Sequence, residues 1–311
     1  MTKLLLTIIL AITMSSVYAW TPTKNITMIV GQPPGSSVDT TARIIAESFT
    51  QQGYTTIIMN QPGASGAIAY NRVARSDPDG YTLSLTSTSF LFNKLIKNPA
   101  ATYDLFKDFT HLKLIGSTAS RLYANSTTVT GDMNQVINDI KTGRKKYTWA
   151  HASSVAQFTI KLIEEQVKQP ITNIPYNGTT YAINDLVAGR VDIMVNSRTP
   201  TLNGFVNTGK LKLLAIASPK TAQQTTVDRY LPGVTAHSWY GLSLPANAPD
   251  DIVTFYNNLI TKTINTIDTK AKLETAGLQL PDQHSTLSNL ASVIDHDSLK
   301  YLPIADRVIP K

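Results

Sequence analysis

The chain has 311 residues, 42% hydrophobic and 16% charged: enough apolar material for one large core or two ordinary ones, and too little charge for a disordered protein. Its formal charge of +7 comes from 28 basic against 21 acidic residues, scattered except for the run Arg144, Lys145, Lys146, which reads as a solvated turn; no nucleic-acid partner is expected. Cysteine is absent, which excludes disulfides, Fe–S clusters, thiol catalysis and a lipidated N-terminal cysteine.

Residues 1–19 read as an export signal. Lys3 gives a positive start, Leu4 to Met14 an apolar stretch, and Val17 and Ala19 the small residues at −3 and −1 of a cleavage site after Ala19. The apolar stretch falls short of the ~20 residues that span a bilayer, so the expected product is a periplasmic chain beginning near Trp20.

Ile26 to Val30 then predicts a buried strand, Pro33, Pro34 and Gly35 a tight turn, and Ser36 and Ser37 the opening of an amphipathic helix. A strand that turns straight into a helix aims the first backbone N–H groups beyond the strand's carboxyl end, which makes an anion seat. Val38, Ala42, Ile45 and Phe49 form the stripe of a helix packed on a sheet, and Gly53 closes it. Thr55 to Met59 predicts a second strand, a turn over Asn60 to Gly63 leads to a helix from about Ser65 to Arg75, and Tyr81 to Leu85 predicts a third strand. This alternation predicts a parallel sheet with right-handed crossovers, whose ligands sit at the strands' carboxyl ends.

The same grammar returns further on. Tyr147 to Ala150, Ile171 to Ile174, Val191 to Val195 and Lys210 to Ala217 predict strands, Ala156 to Lys168 and Gly178 to Ala188 helices, and His151 to Ser154 a polar turn. Ile252, Phe255, Tyr256, Leu259, Ile260, Ile264 and Ile267 predict one long helix after Pro249. Leu287, Leu290, Ile294, Leu299 and Leu302 predict a last one, bent near Pro303.

The landmarks PPGSSVDTTAR, NQPGASGAIA, DPDGYTLSL, IPYNG with LVAGRVDIM, GKLKLLAIAS and WYGLSLPANAP, in this order over nearly the whole mature chain, resemble the extracytoplasmic solute receptors of tripartite tricarboxylate transporters, the Bug receptors. The resemblance implies an α/β, two-lobed periplasmic-binding-protein fold, type II-like, with a ligand cleft between the lobes. It implies a discontinuous lobe 1 over 20–120 and 238–311 and a lobe 2 over 121–237. It also implies a small organic carboxylate as ligand, delivery to the membrane subunits of a tripartite transporter, no catalysis, no cofactor, no metal and a monomer. Two departures narrow how closely a ligand approaches the backbone. Ser36 follows Gly35 where the family has a second glycine, and the family's Ser/Gly-rich second loop with His-Leu is here His151 to Ala156, with Thr159 and Ile160 in the His-Leu places.

Candidate ligand contacts follow from these turns. Gly35, Ser36 and Ser37 offer N–H groups and hydroxyls, though either serine can simply cap the helix. Asp39 suits a first helical turn but repels an anion, so a structural acid is the favoured reading, with a ligand hydroxyl or ammonium as the alternative. Thr86, Ser87, Thr88 and Ser89 follow the third strand and match a cleft-lining position of the family, Ser87 and Thr88 above all, with an ordinary polar loop as the alternative. Ser153, Ser154 and Val155 offer the opposing helix start, and Tyr176 and Asn196 lie just beyond strands. His151 is the ionisable group of the second loop. If it touches a ligand carboxylate its pKa rises on binding and affinity grows as pH falls; the bland reading is a structural histidine.

The rival classes are a receptor of the same fold for another solute, a ligand-presenting sensor for a histidine kinase and, more remotely, a secreted hydrolase. The five histidines show no metal-binding spacing, and no G-x-S-x-G elbow occurs.

Overall fold

The computed structural model describes residues 20–218, 222–282 and 289–308; the expected export signal over 1–19, His284 and Leu287 lie outside them. In chain order the elements are β1 (Ile26–Val30), α1 (Ser37–Gln51), β2 (Thr56–Asn60), α2 (Ala67–Ala74), β3 (Thr82–Ser87), α3 (Ser89–Leu95) and β4 (Phe109–Ala119). There follow β5 (Arg121–Asn125), α4 (Met133–Thr142), β6 (Thr148–His151), α5 (Ser154–Val167), β7 (Thr172–Pro175), α6 (Thr179–Val187), β8 (Ile193–Asn196), α7 (Pro200–Asn207) and β9 (Leu211–Ile216). The chain ends through β10 (His237–Pro245), α8 (Asp250–Asn265), α9 (Ile267–Thr275) and α10 (Leu290–Val308).

Two five-stranded sheets result, ordered β2-β1-β3-β10-β4 and β7-β6-β8-β5-β9. Each is a parallel trio extended by antiparallel strands, where the sequence pattern predicts parallel pairing alone. The reason is topological: β5 and β10 are the strands that have just arrived from the other sheet, and each enters its new sheet from the far end. The same order in both sheets, with one strand exchanged each way, is the two-lobed periplasmic-binding-protein architecture. The crossings are tied by a ring of backbone hydrogen bonds: Ser120 N donates to Ala236 O (3.0 Å), Ala236 N to Ala217 O (2.9 Å) and Ala217 N to Ser120 O (2.8 Å).

The apolar pattern explains the packing. In α1, Val38, Ala42, Ile45 and Phe49 are buried against the first sheet, as their spacing predicts. A second core runs from lobe to lobe. Phe92 of α3, Phe158 of α5 and Tyr301 of α10 meet with ring centroids 5.0 Å (Phe92–Phe158 and Phe92–Tyr301) and 5.8 Å (Phe158–Tyr301) apart. Such aromatic contacts add stability beyond the area they bury.

Three details of the sequence reading change. The stripe after Pro249 breaks at Thr266, which is extended (ψ 138°) and turns back on Thr263 O through both N and Oγ1, so Ile267 starts a new helix and is 89% exposed. In α10 the buried face is Leu290, Ile294, Asp297, Tyr301 and Ala305, whereas Leu299 and Leu302 are exposed and the helix continues through Pro303. Asp297 belongs on the buried face because Trp239 Nε1 donates to it (3.0 Å) and His237 Nε2 lies 3.2 Å away. Finally, His151 is not in a turn: it ends β6, paired with Pro175 of β7.

Candidate functional site

Both sheets point their parallel carboxyl ends at one interface, where the lobes touch. Gln32 Nε2 donates to Ala152 O (3.4 Å), Thr180 Oγ1 to Pro34 O (3.0 Å) and Ser154 Oγ to Ser89 O (3.3 Å), and Ser197 and Ser238 share a hydroxyl bond (3.1 Å). Gly178 abuts Pro33 so closely that a Cβ there would fall 2.3 Å from Pro33 Cγ. Between these contacts remains a cavity of ≈ 30 Å³, room for about two waters, with walls from both lobes.

Lobe 1 contributes Gln32, Ser37, Val38, Ser87, Thr88, Ser89, Ser238 and Tyr240; lobe 2 contributes Ser153, Val155, Thr179, Asn196 and Ser197. No residue of this wall is charged. Attraction for an anion therefore comes from helix ends. Ser36 caps α1, its Oγ accepting from Asp39 N (3.1 Å), and Ser153 caps α5, its Oγ accepting from Ala156 N (3.3 Å). Each cap leaves the N–H groups of the first two helical residues, Ser37 and Val38 or Ser154 and Val155, without an intrahelical acceptor. Two helix N-termini thus meet at one small polar space, each with the partial positive charge of its dipole. Burial raises the Tyr240 phenol, which stays protonated and donates to Ser37 Oγ (3.0 Å); the Ser37 hydroxyl hydrogen is thereby left free to point elsewhere.

Of the residues singled out from sequence, the fold brings Ser37, Ser87, Thr88, Ser89, Ser153, Val155 and Asn196 to this wall, and leaves Gly35, Ser36, Asp39, Thr86, His151, Ser154 and Tyr176 off it. Ser36 is used as the cap and Ser154 as the bond to Ser89 O. Asp39 is a brace: its carboxylate accepts from Gly35 N (2.9 Å), Arg43 Nε (2.9 Å) and Asn60 Nδ2 (2.8 Å), which pins Gly35 in its left-handed conformation (φ +81°). Tyr176 donates to Asp185 Oδ2 (2.8 Å), and burial and that carboxylate push its phenol up to about 12; it faces an outer groove with Pro62 and Tyr181. His151 is 6% exposed, and burial pushes its pKa down to about 4, opposed by hydrogen bonds with Asn173 and Ser153. It is a neutral ring that stands behind Ser153 and is not part of the cavity wall.

Gln32, Val38, Thr179, Ser197, Ser238 and Tyr240 escape the sequence reading. Gln32 carries the plainest signal, a polar side chain just past the end of an apolar strand, while Ser238 and Tyr240 become visible only once β10 is known to return beside β3.

Two α/β lobes joined by paired crossings, closing on a polar, uncharged cavity flanked by helix N-termini, define a solute-binding receptor of the periplasmic-binding-protein class. The chain belongs to the tripartite tricarboxylate transporter receptor family, whose model, "Tripartite tricarboxylate transporter family receptor", matches residues 41–305. It is 28% identical over 290 residues to the UPF0065 protein in the tcbD-tcbE intergenic region of Pseudomonas sp. strain P51, covering 89% of this chain and 86% of that one. It is 27% identical over 252 residues to protein BugT of Bordetella pertussis, covering 78% and 77% of the two chains. Among solved structures, MatC from Rhodopseudomonas palustris with bound malate superposes with a TM-score of 0.82 at 26% identity, covering 92% of this chain and all of that one (100%). The family is one of solute-binding receptors. No helix among the described residues is long and apolar enough to cross a membrane.

Proposed function

We propose that the protein captures a small carboxylate-bearing organic anion between its lobes and delivers it to the membrane subunits of a tripartite tricarboxylate-type transporter, without chemical change to the ligand. The observation that carries this reading is the pair of serine-capped helix N-termini, α1 and α5, set against one uncharged cavity. N–H groups and hydroxyls there suit a carboxylate, and the neutral wall suits neither a bare cation nor a step of acid–base catalysis. MatC, the relative with bound malate, supports the choice of an organic acid.

The cavity in the closed arrangement is too small for a di- or tricarboxylic acid, so the lobes part to admit the ligand and close again around it. The bodies that move are lobe 1, residues 20–120 and 238–311, and lobe 2, residues 121–237, with Ser120 and the segment before Ser238 as the bends. The wall residues Ser37, Ser87, Thr88, Ser153, Val155 and Asn196 hold the ligand. The mature chain starts after Ala19, works in the periplasm and is a monomer.

Native mass spectrometry of the exported protein, followed by a thermal-shift panel of organic acids, tests the reading. An acid at 100 times its Kd adds about 2.7 kcal/mol, a clear rise in melting temperature. Binding of sugars or cations instead, with no response to any acid, overturns it. N-terminal sequencing and light scattering on the same material check the cleavage point and the monomer.

A further inference from the structure

Gln32 stands two residues past β1, 6% exposed, with its backbone carbonyl accepting from Asn60 Nδ2 (2.9 Å). Its side chain reaches across the interface, where Nε2 donates to Ala152 O (3.4 Å). That bond fixes the amide's orientation, because the opposite one would set two acceptors face to face. The other end of the amide, Oε1, is buried and has no hydrogen-bond partner, and Gln32 is part of the cavity wall.

An amide oxygen only accepts. The serine and threonine hydroxyls nearby can turn to donate or accept, so they adapt to what enters, but Oε1 requires a donor. The carboxylates of an ionised acid are acceptors themselves and leave Oε1 unsatisfied, at the cost that attaches to any buried unpaired polar atom. A hydroxyl on the acid supplies the missing donor. An ammonium could do so too, but no carboxylate on the wall would pair it, and an unpaired buried cation is disfavoured. If admitting the acid draws Nε2 away from Ala152, the amide then offers an acceptor and a donor side by side, the complement of a hydroxyl beside a carboxylate.

We propose that Gln32 makes this receptor selective for hydroxylated acids over their deoxy counterparts, with Oε1 accepting the ligand's hydroxyl; the inference deepens the carboxylate reading and rests on it. The probes are matched pairs of acids differing by one hydroxyl: malate and succinate, 2-hydroxyglutarate and glutarate, citrate and tricarballylate, lactate and propionate, with aspartate as the ammonium arm. Calorimetric titration of the wild type should give the hydroxy acid of the best-binding pair an affinity about 10-fold or more above its partner. Gln32→Leu also loses the bond to Ala152 O, which can lower both affinities, so the readout is their ratio: the hydroxy acid should weaken by about 10-fold more than its deoxy partner, and Gln32→Met serves if the leucine variant does not fold. Equal wild-type affinities within each pair, tighter binding of aspartate than of malate, or a preference that survives in a folded Gln32 variant overturns the proposal and leaves the carboxylate reading standing. A wild type that binds no acid of any pair overturns both.

Discussion

The two loops that face each other across the cavity are built on one plan and held by different forces. Each runs from a parallel strand through a short turn into a helix capped by serine, Ser36 for α1 and Ser153 for α5. Behind the first loop stands a buried carboxylate, Asp39, tied to a backbone N–H, an arginine and an asparagine. Behind the second stands a buried neutral imidazole, His151. A charge-assisted brace fixes a loop by strong directional bonds, whereas a buried neutral ring fixes it by packing and neutral hydrogen bonds, with Asn173 and Ser153, and exposes it to acid. The lobe 1 loop is therefore the one held by charge-assisted bonds.

The largest effect should come from removing the brace. Asp39→Ala frees Gly35 N and Asn60 Nδ2 from their acceptor and leaves Arg43, 54% exposed, to water. A loss of about 1.5 to 3 kcal/mol is expected in urea unfolding, the worth of hydrogen bonds to a buried charged acceptor, although Gly35 is exposed and Asn60 half-buried. His151→Gln at neutral pH should cost far less. Equal losses would erase the distinction between the loops.

Closure itself can be broken at Gly178. Its φ of 177° is ordinary extended backbone, so Gly178→Ala strains nothing within lobe 2 and acts only through the clash with Pro33 across the interface. Overpacking of this kind costs about 1 to 3 kcal/mol, so acid affinity should fall roughly 5- to 100-fold, with the melting temperature of the ligand-free protein little changed. Small-angle scattering should record a more open particle. Unchanged affinity would mean that the ligand is held without the lobes meeting at Pro33.

Acid sharpens the contrast from the other side. The folded pKa of His151, about 4, lies below the ~6.5 of an unfolded chain, so the unfolded state takes up the proton first. Stability from this residue is whole above pH 6.5, falls as pH drops through the interval and levels off below about 4. His111, lowered by burial as well, adds in the same direction. The His151 share is on the order of 1 to 3 kcal/mol, and His151→Gln should flatten the dependence of the urea midpoint between pH 7.5 and 4.5 by that amount. Acid affinity should show the same pH dependence in both proteins. A histidine that touched the carboxylate would instead make binding tighten as pH falls in the wild type alone.

Much of the frame could be read from the residues because it rests on local chemistry. Strand-turn-helix units declare themselves by apolar runs, serines at helix starts and Gly35 in the turn, so β1, α1, α5 and the rim serines lie close to their predicted places. The cavity could not be read in full, because part of it is set by long-range return. Ser238 and Tyr240 reach it only because β10 comes back beside β3 from far along the chain, and there Ser238 accepts from the Ser197 hydroxyl. His151 misled for a related reason. A polar residue after an apolar strand looks like a loop, but pairing with Pro175 and hydrogen bonds with Asn173 and Ser153 let the strand keep it and bury it.

The smallest effect separates capping from contact, because the two cap serines differ in what their hydroxyls face. Ser36 is buried behind the wall, with its Oγ committed to Asp39 N, and Ser153 makes the same bond to Ala156 N while also lining the cavity. Ser36→Ala and Ser153→Ala should each cost about 1 kcal/mol of stability, the usual value of an N-cap, with the lobe 1 loss at the lower end because the Asp39 brace remains. Their effects on acid affinity should diverge. Ser153 can donate its hydroxyl hydrogen to a carboxylate while its oxygen still caps α5, so Ser153→Ala should weaken the acid by roughly 3- to 10-fold, the worth of one hydrogen bond, and Ser36→Ala by less than about 2-fold. Titration calorimetry on the two variants at one pH reads the difference directly. Equal losses of affinity would mean that both serines act only through their helices, and that the acid is held by backbone N–H groups without a hydroxyl from lobe 2.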